Sequence, residues 1–122
     1  MELYIDVPWL LEVQAARMAD VSVREYSGLV AAVARHRVNT PAMGYEPDAP
    51  WRAAVLLHTI VQLRPLPVRN ELYGCMVAVA YMDASGHGVN APYGGLIDLV
   101  REITGGKATE FDAADRLRSW RI

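Results

Sequence analysis

At 122 residues, with 52% hydrophobic and 21% charged side chains, the chain is long enough to bury one core without disulfides or metal, and too apolar to remain disordered. A net charge of −2 makes no electrostatic case for nucleic acid as a partner, and the single cysteine, Cys75, excludes an internal disulfide. The opening MELYIDVPWLL carries acids where a secretory leader carries bases, and the longest apolar run, CMVAVAYM, is too short to cross a bilayer, so the expected setting is the cytoplasm with no membrane partner.

Taken in chain order, the first helix is expected to start at Asp6 as N-cap, tolerate Pro8 in its first turn and run through WLLEVQAARMA to Ala19. The second spans VREYSGLVAAVARH, Val23 to His36, with Leu29, Val30, Val33 and Ala34 on one apolar face despite Gly28. RVNTPAMGYEPDAP then reads as an extended connection punctuated by proline and glycine. A third helix starts near Asp48 or Pro50 and continues as WRAAVLLHTIVQL, apolar nearly all round and therefore central and buried.

Pro65 and Pro67 end that helix, because a proline ring supplies no backbone donor and pushes the preceding residue away from helical geometry. A fourth helix resumes near Asn70 as N-cap and stops at Gly86. Asn90 and Thr109 read as N-caps for PYGGLIDLVREIT and EFDAADRLRSW, and Thr109 with Asp112 has capping-box spacing. The expected product is an all-α bundle of about six helices, one domain over residues 1–122, with the loop LRPLPVRN between its two central helices. A loop feeding a helix N-terminus aims free backbone N–H groups and the positive end of the helix dipole at whatever lies above it, and anions bind such places readily.

This order of features resembles the Fic/Doc (Fido) proteins, especially the small Doc-like toxins of bacterial toxin–antitoxin modules. Those proteins carry a signature H-P-F-x-D-G-N-K-R between two central helices, and this chain reads R-P-L-P-V-R-N-E-L from Arg64 to Leu72. SGLVAAVAR, Ser27 to Arg35, is similar to the family's G-L-L-x-x-A-L-A-R stretch, and YEPDAPWRAAVLLHTIV to its tyrosine, short loop and Ala-Ala-x-Leu-Leu helix. GLIDLVREITGGKATEFDAADRLRSW resembles the Doc-like ending, so the likeness covers roughly nine-tenths of the chain by pattern.

The resemblance implies a nucleotide site in which the motif histidine is the general base, the acidic residue holds magnesium on the phosphates, and the last basic residues grip them. Here the histidine position is Arg64, which stays protonated, and the acidic position is Val68, which offers no oxygen to a hard cation. Glu71 and Leu72 replace the phosphate-gripping residues, while Pro65 and Asn70 are kept and Leu66 stands for the buried Phe. Transfer of a nucleotidyl or phosphoryl group needs positioning and charge neutralisation together, so ordinary Fic chemistry is the less favoured expectation.

Arg64, Arg69 and Asn70 form a candidate anion or ligand site, lined by Leu66, Val68, Leu72 and Tyr73, with Glu71 a weak candidate acid or base. The structural alternative is that Arg64 caps the preceding helix while Arg69 pairs with Glu71 or lies in solvent, and that Glu71 merely suits a first helical turn. Tyr73 and Tyr81 read as core or rim aromatics, and Cys75 as a packed thiol. His58 reads as a hydrogen-bonded core histidine, His36 as a helix-end residue explained by favourable dipole placement or plain exposure, and His87 as a solvated turn residue able to swing over the pocket. No histidine pair has metal-ligand spacing, so neither metal nor cofactor is expected. SGHGVNAPYGG is a weak nucleotide signal, and EFDAADRLRSWR reads as a solvated face with Phe111, Leu117 and Trp120 inward.

Three functions follow as expectations: a Doc-like protein that has lost transfer activity and works by binding a small antitoxin protein or a target; an enzyme using the motif pocket on a different small-molecule, anionic substrate; and, last, an active transferase.

Overall fold

The computed structural model describes residues 2–42 and 45–122. It is all-α, with six helices: α1 (Val7–Arg17), α2 (Tyr26–His36), α3 (Ala49–Leu63), α4 (Asn70–Ala84), α5 (Gly95–Thr104) and α6 (Glu110–Trp120). The only extended pairing among the described residues is an isolated antiparallel bridge between Val89 and Arg121, beside which the Asn90 amide donates to the Trp120 carbonyl at 2.7 Å. No helix there is long and apolar enough to cross a membrane.

Helix α3 is the hub. It packs against α2, α4, α5 and α6, while α1 lies on α4 and α2. From Pro50 to Leu57 every residue of α3 is buried, including Arg52, as its all-round apolar composition predicts. Leu29, Val77, Leu99, Ile103 and Leu117 converge on it with no exposed surface, and its own Leu56 and Ile60 are as fully buried. Each fully buried side chain of this size contributes about 1.5–3 kcal/mol through the hydrophobic effect. The close approach of α4 to α3 needs Gly74, whose absent Cβ would lie 2.9 Å from Leu57 Cδ1 and 3.3 Å from the Leu57 carbonyl oxygen.

Three helix starts follow local chemistry. Asp6 accepts from the Trp9 amide at 2.9 Å, Asp48 from the Trp51 amide at 3.0 Å, and Thr109 and Asp112 close a reciprocal capping box. Four expected boundaries shift. Helix α1 stops at Arg17 because the buried Gln14 amide turns back to the carbonyls of Met18, at 2.8 Å, and Val21, holding the chain in a turn. Helix α2 begins at Tyr26 because the Arg24 and Glu25 amides both donate to the Pro65 carbonyl, at 2.9 and 3.0 Å. Asn90 does not cap α5, which starts at Gly95 after a left-handed Gly94. Asn70 is the first residue of α4 and Arg69 its N-cap.

His36 is the clearest correction, since its ring is fully buried rather than exposed. Residues 2–5 fold back over the end of α2, and the Ile5 amide donates to His36 Nε2 at 2.9 Å, while Nδ1 meets the Val33 carbonyl. That pairing requires a neutral ring with its proton on Nδ1. Burial pushes the His36 pKa below its ordinary value and the Arg37 and Arg52 charges add to this, outweighing the bond to Val33. Unfolded histidine titrates near 6.5, so below that pH the unfolded chain binds the extra proton and stability falls as acid approaches the folded value. Urea unfolding at pH 7.5 and 5.5 is expected to show lower stability at pH 5.5. His58 carries the same sign, so His36→Asn should shrink the difference without removing it.

Candidate functional site

The motif loop is held at its two ends and at Pro65 and Leu66. Arg64, at the C-cap of α3, has φ 50°, and Arg69, at the N-cap of α4, has φ 60°, so both occupy the left-handed region that side-chain-bearing residues enter at a cost of about 1–2 kcal/mol each. Between them the Pro65 carbonyl accepts the two amides that precede α2. Gly28 of α2 lies against the Pro65 ring, its absent Cβ 3.3 Å from Pro65 Cβ, which explains a glycine within that helix.

Asn70 does not cap the helix with its side chain. Fully buried, its Oδ1 accepts from the Leu66 amide and its Nδ2 donates to the Leu66 carbonyl, both at 2.9 Å. One side chain thus clamps both polar groups of a buried loop residue that has no helical or sheet partner.

The charges are paired within the protein. Arg64 Nη1 lies 2.9 Å from Glu71 Oε1, and Arg69 Nη2 lies 2.9 Å from Asp20 Oδ2. The expected pairing of Arg69 with Glu71 is therefore replaced, because the left-handed turn at Arg69 swings its side chain toward the segment after α1. The Arg64 hydrogen bond, joined by one from its own backbone N–H, holds the Glu71 carboxyl below the usual carboxylate range. A carboxylate of the protein thus already occupies the start of α4, where a ligand anion would meet the free amides.

Of the expected lining residues, Leu66 and Tyr73 are fully buried and present no surface, whereas Val68 and Leu72 are exposed. Tyr73 donates to the Leu10 carbonyl at 2.7 Å, and burial raises its pKa, so it is a core phenol that ties α4 to α1. Tyr81 serves likewise, donating to the Leu3 carbonyl at 2.6 Å. Cys75 is half-buried, and burial, helped by the Glu71 charge, pushes its thiol up to about 11.

The open surface lies beside the loop. An apolar groove of about 580 Å³ runs between α1 and α4, lined by Val13, Leu72, Met76, Val79, Val89 and Leu96, with Arg17, Asp83 and His87 at polar positions along it. Through Leu72, Cys75 and Leu96 it continues into a second cleft, of about 580 Å³, between α4 and α5. Ile97 and Leu72 are about half exposed there, and Tyr93, next to the cleft, is fully exposed. His87 therefore borders this groove and not the motif loop. The resemblance to Doc-like proteins implies an exposed groove beside the motif as a working surface, but sequence reading did not place it between α1 and α4, although α4 carries apolar residues on more faces than α3 alone can cover.

No protein-family model matches the chain, and no curated protein matches it significantly. Among the described residues no group of three His, Cys, Asp or Glu side chains could hold a metal ion.

Proposed function

We propose that the protein is a Fic/Doc-like member of a toxin–antitoxin module whose transfer site is inactive and which works by binding an amphipathic segment of a small partner protein. The observation that carries this reading is the continuous apolar groove along α4, beside a motif loop whose arginines are already paired with Glu71 and Asp20. A helix lying in a groove buries its apolar face and leaves its polar face wet, and a surface of this length and apolarity matches that mode. The motif pocket as a site for a small anion has less support, because both guanidinium groups and the start of α4 are satisfied internally.

Two measurements test it. With labelled ATP and magnesium, the wild-type protein is expected to transfer no label to itself or to bacterial extract. The Arg64→His/Val68→Asp form serves as the reverted comparison. Labelling by wild type that Arg64→Ala abolishes would end the inactive-site reading. Separately, where an adjoining reading frame encodes a short antitoxin-like protein, titration calorimetry with it is expected to give saturable binding that Leu72→Glu weakens at least tenfold. Unchanged binding by Leu72→Glu would end the groove assignment.

A further inference from the structure

A cavity of about 440 Å³ lies between α2, α3 and α6, sharing no lining residue with the groove or the motif loop. Its wall follows one face of α3, where Trp51, Val55, His58 and Thr59 are spaced at helical intervals. Trp51 and Thr59 are eight residues apart, so at 1.5 Å per residue the cavity runs about 12 Å along the helix. Trp51 and Phe111 make the Trp51 end aromatic, with ring centroids 4.9 Å apart.

The other end carries two charges of opposite sign that are not joined to each other. Arg35 reaches only Thr59 Oγ1, at 3.5 Å, and Glu110 Oε2 stands 3.6 Å from His58 Nδ1. Their anchors, His58 and Thr59, are consecutive residues, so the guanidinium and the carboxylate flank the same short stretch of α3. Burial and the Arg35 charge keep His58 below its ordinary pKa despite Glu110, so near neutral pH it serves as an uncharged hydrogen-bonding partner. At the aromatic end Trp51 is 5% exposed, and its Nε1 donor is buried behind the cavity wall with no partner among the described residues.

We propose that this cavity binds a small zwitterion with an apolar body, of the chemical class of an aromatic α-amino acid. Its carboxylate meets Arg35 and Thr59, its ammonium meets Glu110, and its side chain lies along Val55 toward Trp51 and Phe111. A lone anion would face the Glu110 carboxylate and a lone cation the Arg35 guanidinium. A ligand carrying both charges side by side pairs with both groups, which otherwise face solvent.

Titration calorimetry of the whole protein with L-phenylalanine, phenethylamine and 3-phenylpropionate tests this. Saturable binding is expected for L-phenylalanine, with each single-charge analogue at least tenfold weaker. Arg35→Gln should abolish the preference over phenethylamine, and Glu110→Gln the preference over 3-phenylpropionate. In the unaltered protein, the Trp51 indole N–H resonance should move on addition of L-phenylalanine, because the Trp51 ring lines the cavity. No saturable binding at millimolar concentration, equal binding of the three compounds, or an unmoved Trp51 resonance would each overturn the assignment.

Discussion

Arg52→Met is expected to lower the unfolding free energy by about 2–4 kcal/mol, because two carbonyls lose their donor at about 1–3 kcal/mol each. Arg52 is 1% exposed, yet its Nη1 donates to the His36 carbonyl at 2.6 Å and to the Val38 carbonyl at 3.2 Å. Its Nη2 reaches Asn39 Oδ1 at 2.8 Å and Glu2 Oε1 at 3.2 Å, and the guanidinium lies 5.0 Å from the Tyr4 ring centroid. One side chain of α3 therefore ties together the end of α2, the chain that leaves it and the N-terminal segment. Methionine keeps the apolar stem but leaves two carbonyls without their donor. Lysine restores the charge without the planar fork, so Arg52→Lys should recover only part of the loss. Urea unfolding at pH 7.5 gives the answer, and a loss below about 1 kcal/mol would mean that water replaces the guanidinium at little cost.

Asn70→Ala is expected to cost about 2–4 kcal/mol, because it leaves both the amide and the carbonyl of buried Leu66 unsatisfied at about 1–3 kcal/mol per group. Asn70→Asp is expected to do no better: it retains the acceptor for the amide, loses the donor to the carbonyl and places a charge where the side chain has no exposed surface. Faster hydrogen exchange at the Leu66 amide in Asn70→Ala would separate a loosened loop from a general loss of stability. Unchanged exchange there would show that the clamp is dispensable.

The helical architecture was legible because its signals are local. Asp6, Asp48 and Thr109 each reach an amide three residues onward, and Pro65 with Pro67 interrupts the chain whatever surrounds it. What escaped was set by distant neighbours. His36 ends a helix, and only the return of residues 2–5 over it makes it a buried acceptor. Asn70 has the composition of a cap, but the left-handed turn at Arg69 moves the helix start by one residue and turns the amide side chain back to Leu66. Arg69 finds Asp20, 49 residues away, a pairing that no spacing rule encodes. The motif's position was readable from its prolines and asparagine. The neutralisation of its charges was not, since it depends on which carboxylates the fold delivers.

Helix α1 packs mainly on α4 and α2, so its release uncovers the hub least. Prying α2, α4, α5 or α6 away wets the hub, and cooperativity ties those five helices into a single unfolding unit. The first helix is held instead by fully buried Leu10, whose carbonyl accepts from Tyr73 of α4. Since the groove follows the line where α1 meets α4, a visitor entering there would widen a natural crack in the molecule and leave its keystone undisturbed.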